Sequence, residues 1–421
     1  MGLSIAIFLI ALALIASERI HRTKIALLGA ALVVLLVPGF GQEAAIDSVD
    51  FNTIGLLIGM MILVFLTQQT GIYDYIAIRA GQISGGGSLQ VVISLATTTA
   101  LLSGLRDNLT TILLMGPITF LLADALDIDP SPLVIIEVIA SNVGGTATLI
   151  GDPPNIIIAG STGLSFNEFL VNLAPIAAVS VIASTGILYL VYRSRLQVKE
   201  ENRRIVLDLD ATSSITDRQE LWRTGPIMIA TIAFFFAHQS LHIEPATVAL
   251  TGAAVALMVT RVDLGEALSR IEWPTLFFFM ALFVMVGALE HSGAIAEAAD
   301  SVQDWTGGDR TSELLGIIWV SAAGSAVVDN IPFTTAMIPV VEELQTEAGD
   351  DAYWWALSLG ACFGGNATII GAAANVAAAG LAERAGTPIG FMEFLRIGVP
   401  VTICTVGLAS AYVAVRYILL G

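Results

Sequence analysis

The sequence predicts an all-α polytopic membrane protein made of two inverted-topology repeats, and three observations lead to this fold class. First, 56% of the 421 residues are hydrophobic and only 13% are charged, whereas a typical soluble domain has about 25% charged residues. Second, nearly charge-free runs such as 54–66, 176–192 and 275–289 approach the length of about 20 residues that spans a bilayer. Third, the two halves of the chain resemble each other.

The repeat is visible in motifs of the first half that return in the second. SGLRDNLTTILLMGPI, residues 103–118, returns as SAVVDNIPFTTAMIPV, residues 325–340. GGTATLIGDPPN, residues 144–155, returns as GGNATIIGAAAN, residues 364–375. We therefore divide the chain into a first transmembrane repeat, a cytoplasmic linker and a second transmembrane repeat, at 1–195, 196–222 and 223–421.

Each half is expected to contain about five membrane-crossing helices and one re-entrant hairpin. In the first half the apolar runs predict crossings at 3–16, 24–39, 53–69, 131–160 and 168–192, with the hairpin at 88–126. In the second half they predict crossings at 225–240, 245–260, 273–290, 353–382 and 394–418, with the hairpin at 311–345. The first run lacks the basic segment of a signal peptide, so we interpret it as a membrane helix.

Because each repeat has an odd number of crossings, the second repeat begins on the opposite side of the membrane from the first. The two repeats therefore have inverted topologies, an architecture found in many secondary transporters. Basic residues are concentrated in the first loop and in the 193–223 loop. The helix count places both loops on one side, which the positive-inside rule makes cytoplasmic. Acidic clusters around 43–50, 300–309 and 347–351 fall on the other side. We predict a multi-pass protein of the plasma (cell inner) membrane with both termini outside.

The segment SNVGGTATLIGDPPNIIIAG, residues 141–160, predicts a helix that is broken inside the membrane. Glycine and proline interrupt helices, and unpaired backbone groups at membrane depth are tolerated only inside protein or beside water. Transporters bind substrates and ions at such breaks. The candidate ligands are Asn142, Gly144, Gly145, Thr146, Asp152 and Asn155, with Gly364, Gly365, Asn366 and Asn375 at the second break.

The two hairpins place a second set of polar residues near mid-membrane. These are Asp107, Asn108 and Thr110 in the first hairpin and Asp329, Asn330 and Thr334 in the second. We expect each tip to face its neighbouring broken helix, giving two pseudo-symmetric sites that flank a central cavity. Because ionisable residues inside a membrane are costly, the candidates for ion coupling are Arg106, Asp107, Asp152 and Asp329. A simpler role as helix caps remains open for the two hairpin aspartates.

The two halves differ in charge. Asp152 corresponds to Ala372, and Arg106 corresponds to Val328. The first half is therefore the better candidate for moving a coupling ion or proton. Glu137, a single acid in an apolar helix, is either functional or structural.

Composition and motifs argue against several other classes of protein. The chain has 36 acidic and 18 basic residues, and this acid excess argues against a nucleic-acid partner. It has no phosphate-binding loop, zinc motif or nucleophile elbow. We therefore expect no enzyme activity, no catalytic residue, no metal and no cofactor, although Na⁺ or protons are possible coupling ions. The expected partners are the lipid bilayer, a small inorganic substrate and a coupling ion.

The motifs resemble the signature segments of the arsenite-pump (ArsB)/NhaD/P-protein permeases, which belong to the ion transporter superfamily with the citrate and dicarboxylate permeases. The resemblance rests on DNLTTILLM, SNVGGTATLIGDPPNIIIAG, DNIPFTTAMIPV and GGNATIIGAAANV, and it extends from about residue 25 to the C-terminus. It implies an elevator-type secondary transporter, often a homodimer, in which both hairpin tips and both broken helices line the substrate site.

Several substrates are compatible with this resemblance. Export of trivalent arsenic or antimony hydroxide by proton antiport ranks first, because a neutral hydroxide needs hydrogen-bonding groups and no fixed charge. Na⁺/H⁺ antiport ranks second and anion or dicarboxylate uptake third. A different class stays open, namely a channel or the membrane subunit of a pump driven by a soluble ATPase.

The predicted topology can be tested by cysteine labelling. A cysteine introduced into the 196–222 linker should react with a membrane-impermeant maleimide in inside-out vesicles, because the basic linker is expected in the cytoplasm. Intact cells should show only the labelling of the unmodified chain, which contains Cys362 and Cys404. Labelling of the linker from outside would show that the topology is the opposite of the predicted one.

Overall fold

The computed structural model describes residues 1–17, 19–208 and 210–419. The side chains of residues 347 and 348 also lie outside the described part, and with them Glu347 of the third acidic cluster. All regular elements of the described residues are helical.

Ten α-helices form the first repeat in the part of the chain that the structure describes. The linker that follows contains one further helix, α11 (Glu200–Leu207), and a 3₁₀ turn at Ala211–Ser214. The ten helices are α1 (Gly2–Ala16), α2 (Arg22–Leu36), α3 (Gln42–Asp47), α4 (Phe51–Gln68), α5 (Ile72–Ile83), α6 (Ser88–Ser103), α7 (Asn108–Leu126), α8 (Pro130–Gly145), α9 (Pro153–Thr162) and α10 (Phe166–Tyr192).

Within its described residues, the second repeat contains the same series of ten helices in the same order. Two 3₁₀ turns, Gly365–Ala367 and Ile369–Gly371, interrupt its broken helix, and a π-helical segment, Ala414–Leu419, follows the last helix. The helices are α12 (Arg218–Ala237), α13 (Pro245–Val259), α14 (Leu264–Ser269), α15 (Trp273–His291), α16 (Ala294–Thr306), α17 (Arg310–Val327), α18 (Asn330–Ala348), α19 (Ala352–Gly364), α20 (Ala373–Arg384) and α21 (Phe391–Val413).

The predicted fold class is confirmed: the protein is all-helical, and each repeat has a hairpin (α6–α7 and α17–α18) and a broken helix (α8–α9 and α19–α20). Within the described residues, five helices are long and apolar enough to cross a membrane, and α1, α6 and α13 are shorter apolar helices. The five are α4, α7, α10, α15 and the continuous helical segment that begins with α21. The domain boundaries and the sidedness of the loops stay predictions.

Two pairs of helices extend the repeat beyond what the motifs predicted. The six-residue helices α3 and α14 precede the spans α4 and α15, and the longer helices α5 and α16 follow those spans. Gly71 and Gly293 start α5 and α16 with left-handed φ angles of 75° and 76°, a conformation that glycine adopts without strain. These helices carry polar residues and are too short to span a bilayer, so the hydropathy pattern does not reveal them.

The two repeats interlock. Helix α2 packs against α15, and its counterpart α13 packs against α4. In the same way α7 packs against α20, and α18 packs against α9. Each repeat therefore completes its core with helices from the other one.

The α4–α13 contact is closest at Gly59. A Cβ atom at this position would lie 2.5 Å from the carbonyl carbon of Ala249 and 2.7 Å from its Cβ. Small residues allow this backbone approach, which is typical of helix pairs in membranes.

We expect Gly59→Ala to destabilise the protein by about 1–3 kcal/mol, because the added methyl group overpacks the α4–α13 contact. Gly186→Ala is the matched control, since a Cβ at Gly186 on α10 has no heavy atom within 4 Å. Thermal unfolding of both variants in detergent, followed by size-exclusion chromatography, measures the difference. Equal melting temperatures would show that the α4–α13 contact accommodates the added methyl group without loss of stability.

Candidate functional site

The first break separates α8, which ends at Gly145, from α9, which begins at Pro153. The Asn155 side chain holds this break together by donating to the backbone carbonyls of Thr146 and Thr148, both at 2.9 Å. The prolines at the start of α9 remove two backbone N–H groups that would otherwise need partners.

The second break has the same internal support. The Asn375 side chain donates to the carbonyls of Gly365 at 2.7 Å and Thr368 at 2.8 Å. Asn155 and Asn375, which were predicted as ligands, therefore donate their side-chain N–H groups to carbonyls of the breaks. This satisfies carbonyl groups that a buried interrupted helix leaves without partners.

Glycines allow each broken segment to fold back on itself. A Cβ at Gly145 would lie 2.6 Å from the carbonyl oxygen of Gly151, and a Cβ at Gly365 would lie 2.8 Å from that of Gly371. The preceding glycines face the hairpins, because a Cβ on either would collide with hairpin backbone. Gly144 contacts Ala100 of α6, and Gly364 contacts Ala322 of α17.

The hairpin tips lie against these breaks. The Thr148 hydroxyl donates to the carbonyl of Gly104 at 2.5 Å, and the Thr368 hydroxyl donates to that of Ala326 at 2.7 Å. At each tip an aspartate caps the following helix: Asp107 accepts from the backbone N–H of Thr110 at 2.8 Å, and Asp329 accepts from that of Ile331 at 3.1 Å.

Six polar side chains form a hydrogen-bonded cluster between the hairpins and the breaks, which we call the central amide network. Each is at most 5% exposed, and three come from each repeat. They are Asn108, Asn142 and Asp152 from the first repeat and Asn330, Asn366 and Asn375 from the second.

Asn142 joins the two repeats within this network. Its side-chain oxygen accepts from Asn108 at 3.0 Å. Its amide nitrogen donates to the side-chain oxygens of Asn366 at 2.9 Å and Asn375 at 2.8 Å. The two breaks are therefore in direct contact through side chains.

Asp152 is the only ionisable member of the network, and both hairpins reach it. Its Oδ1 accepts from Asn108 at 3.4 Å and from Asn330 at 3.2 Å. Its Oδ2 is buried and accepts no hydrogen bond from a nitrogen or hydroxyl donor of the described residues, and the Cys362 thiol lies beside the carboxylate. The Asn366 amide nitrogen and the Thr334 hydroxyl are also buried and have no hydrogen-bond partner among the described residues. A buried carboxylate oxygen without such a donor is costly, so this position favours a proton or a cation.

Two further predicted residues, Thr110 and Thr146, lie beside the network without joining it. The Thr146 hydroxyl donates to the Asn142 carbonyl at 2.9 Å, and the Thr110 hydroxyl donates to the Asp107 carboxylate. The structure thus brings both hairpins and both breaks together in one connected cluster. One cavity lies at each hairpin tip beside this cluster, and the two pseudo-symmetric sites that flank a central cavity stay a prediction.

The cavity at the first tip has a volume of about 230 Å³. Its charged lining residues are Arg106, Asp107, Arg270 and Glu272. The Arg106 guanidinium lies 4.9 Å from the centre of the Tyr73 ring. Among the described residues it forms no ion pair, and its nitrogens have no hydrogen-bond partner. It is therefore not a direct counter-ion of Asp107.

The cavity at the second tip has a volume of about 430 Å³ and includes Asp329 and Arg22 in its lining. These two residues form an ion pair at 2.7 Å, and the Arg22 guanidinium also lies over the Phe278 ring. In the sequence, Arg22 is one of the basic residues of the first loop. No local pattern links it to an aspartate in the other half of the chain.

These features define a class of protein: a membrane transporter built from two repeats, with paired hairpins and paired broken helices around a polar centre. The family model described as CitMHS, citrate transporter, matches residues 12–360. The chain therefore belongs to the CitMHS family of the ion transporter superfamily.

Individual proteins support this assignment. The chain is 42% identical over 424 residues to an uncharacterized transporter of Mycobacterium tuberculosis, covering 99% of each chain. It is 34% identical over 505 residues to the P protein of Homo sapiens, covering 97% of this chain and 59% of the P protein. The crystal structure of the Alcanivorax borkumensis YdaH transporter matches with a TM-score of 0.61 at 15% identity, covering 93% of this chain and 96% of that one. At this identity the structural match supports the fold alone.

The P-protein part of the predicted resemblance is thus confirmed. The arsenite-pump and NhaD parts stay predictions. So do the roles of the individual site residues, because the similarities concern whole chains.

We expect Asn375→Ala to lower the stability of the protein and to raise the apparent substrate constant. The change leaves two buried carbonyls and one Asn142 N–H group without partners, and each such loss costs about 1–3 kcal/mol. Asn167→Ala, which removes an exposed hydrogen bond to Phe236, is the control. Equal melting temperatures for the two variants would show that the second break does not need this side chain.

Proposed function

We propose that the protein is a secondary active transporter in which Asp152 binds the coupling ion. The favoured reaction is export of trivalent arsenic or antimony hydroxide in exchange for protons. The observation that carries the proposal is the Asp152 carboxylate, which is buried and contacted by both hairpins, and whose Oδ2 accepts no hydrogen bond from a nitrogen or hydroxyl donor of the described residues. Titratable carboxyl groups in such positions mark proton and ion routes in membrane proteins.

Coupling requires that the ion and the substrate affect the same moving parts. Asp152 accepts one hydrogen bond from each hairpin. Binding of a proton to the carboxylate changes its capacity to accept these bonds, so the protonation state would alter the attachment of both hairpins. We propose that this change accompanies an elevator-type movement that exposes the site to the opposite side of the membrane.

The chemistry of the central amide network favours a small neutral solute. Trivalent arsenic is a neutral hydroxide near neutral pH, and its hydroxyl groups both donate and accept hydrogen bonds. The atoms around the network that have no nitrogen or oxygen partner among the described residues include a donor, the Asn366 amide nitrogen, a hydroxyl, Thr334 Oγ1, and an acceptor, Asp152 Oδ2. This mixture suits a polyhydroxyl solute better than an ion with a large fixed charge.

Transport of a small carboxylate anion is an alternative that one feature of the first cavity favours. The Arg106 guanidinium is buried at the first cavity and has no hydrogen-bond partner among the described residues. Arginine binds carboxylates through paired hydrogen bonds. The family description names citrate, and the cavity volume is on the scale of a small organic anion. The side chains of Asp107 and Glu272 line the same cavity. Their carboxylates would repel a carboxylate anion, which argues against this function.

A vesicle assay separates these candidates. Purified protein is reconstituted into proteoliposomes that contain a pH-sensitive dye, and arsenite, antimonite, Na⁺ or citrate is added in turn. Proton movement evoked by arsenite or antimonite alone supports metalloid/proton antiport. A response to Na⁺ alone indicates Na⁺/H⁺ antiport, and a response to citrate alone indicates anion transport. Because only the purified chain is present, metalloid flux in this assay would also exclude an obligatory soluble ATPase.

The oligomeric state, proposed to be a homodimer, can be measured on the same preparation.

We expect Asp152→Asn to reduce proton-coupled flux by about tenfold or more, which corresponds to at least about 1.4 kcal/mol. Asparagine still accepts the bonds from Asn108 and Asn330 through its side-chain oxygen, so the fold should be retained. Asp124→Asn changes an exposed carboxylate on α7 and serves as the control. Unchanged flux with unchanged pH dependence would remove Asp152 from the coupling mechanism.

A further inference from the structure

A second acidic side chain is buried in the first repeat, away from the central amide network. Glu137 lies in the middle of α8 and is 1% exposed. Its Oε1 accepts a hydrogen bond from the Thr119 hydroxyl of α7 at 2.5 Å. Among the described residues it forms no ion pair with a basic side chain. A buried carboxyl group without a cation is far less costly when it is protonated.

The internal repeat provides a control for this pair. At the corresponding positions of the second repeat, Leu357 of α19 takes the place of Glu137, and Val341 of α18 takes the place of Thr119. Both residues are fully buried, and α18 packs against α19 as α7 packs against α8. The same helix contact therefore forms with apolar side chains, so packing does not require an acid here.

Among the described residues, no charged group on the helices around α8 is paired with Glu137. Helix α6 has no ionisable residue, Asp124 of α7 is exposed, and Glu168 of α10 belongs to the capping box at the start of that helix. The remaining titratable groups on elements that pack against α8 are Tyr189 and Tyr192 of α10, Tyr353 and Cys362 of α19, and the exposed Glu383 and Arg384 of α20.

Polar groups lie between this position and Asp152. Ser141 lies one helical turn beyond Glu137 on α8, and residues four apart lie on one helix face. The Ser141 hydroxyl contacts the Ser103 hydroxyl at 3.1 Å and the Asn108 carbonyl at 3.3 Å. The Asn108 side chain in turn contacts Asp152. In the second repeat Ala361 stands at the position of Ser141, so both this serine and the acid are confined to the first repeat.

We propose that Glu137 is a second proton-binding group of the transporter, which exchanges protons during the cycle and lies on the same side of the first break as the polar groups of Ser141 and Asn108. This proposal rests on the proposed proton coupling. Proton binding converts the Glu137 carboxylate into a carboxylic acid. The Thr119 hydroxyl accommodates both forms, because it donates to the ionised group and accepts from the protonated one.

The test uses infrared spectroscopy and transport on the full chain in lipid. The C=O stretching band of protonated carboxylic acids is recorded during a pH titration of the wild type, Glu137→Gln and Asp152→Asn. We expect two buried carboxylic acids to lose their protons as the pH rises, one of them absent from each variant. In proteoliposomes with arsenite as the probe, Glu137→Gln should lower the number of protons moved per arsenite by about twofold, because one of two proton-binding groups is removed.

Two further variants separate proton binding from packing. Glu137→Leu combined with Thr119→Val reproduces the apolar pair of the second repeat and should fold while showing the transport defect of Glu137→Gln. Thr119→Val removes the hydrogen bond, keeps the carboxyl group and should retain the infrared signal. An infrared titration that is identical in Glu137→Gln and the wild type would overturn the proposal. The Asp152→Asn titration independently decides whether the proposed coupling site is correct.

Discussion

Two helices are interrupted inside the protein, and the backbone groups freed at each break need partners away from water. Asn155 and Asn375 meet this requirement by donating two hydrogen bonds each to carbonyls of their own break. The hairpin tips provide further acceptors for threonine hydroxyls. The glycines let the broken segments and hairpins approach closely enough for these bonds. The polar centre of the molecule is thus a consequence of satisfying two broken helices in a low-dielectric interior.

Much of the fold can be predicted from the sequence, because the motifs of the first half return in the second and each copy supports the interpretation of the other. The breaks and hairpins combine glycine, proline and paired Asp-Asn residues with long apolar flanks, and these patterns locate them to within a few residues. Helices α3, α5, α14 and α16 escape sequence analysis because they are short or mixed in polarity. The packing of each repeat against the other could not be predicted either. Hydropathy identifies the segments that enter the membrane, but it does not identify the helices against which they pack.

The candidate site was predictable in composition but not in its connections. Convergence of both hairpins on the breaks follows from the repeated motifs, and Asp152 stands out as a charge present in only one half. The pairing of Asn142 with Asn366 and Asn375 joins residues that are distant in the chain and that no local pattern relates. The ion pair between Arg22 and Asp329 is equally non-local. The two hairpin aspartates cap helices, a role that their position at helix starts already allowed.

The interlocked arrangement of the repeats has a consequence for biosynthesis. Helices α2 and α4 find major partners in α15 and α13, which leave the ribosome only after the whole first repeat and the linker. The newly made first repeat must therefore stay in the bilayer with these faces turned toward lipid or toward an insertion chaperone. Because α9 and α7 pack against α18 and α20, side-chain packing of the core can be completed only when α20 has been inserted. Assembly of the protein is therefore a late event in its own translation.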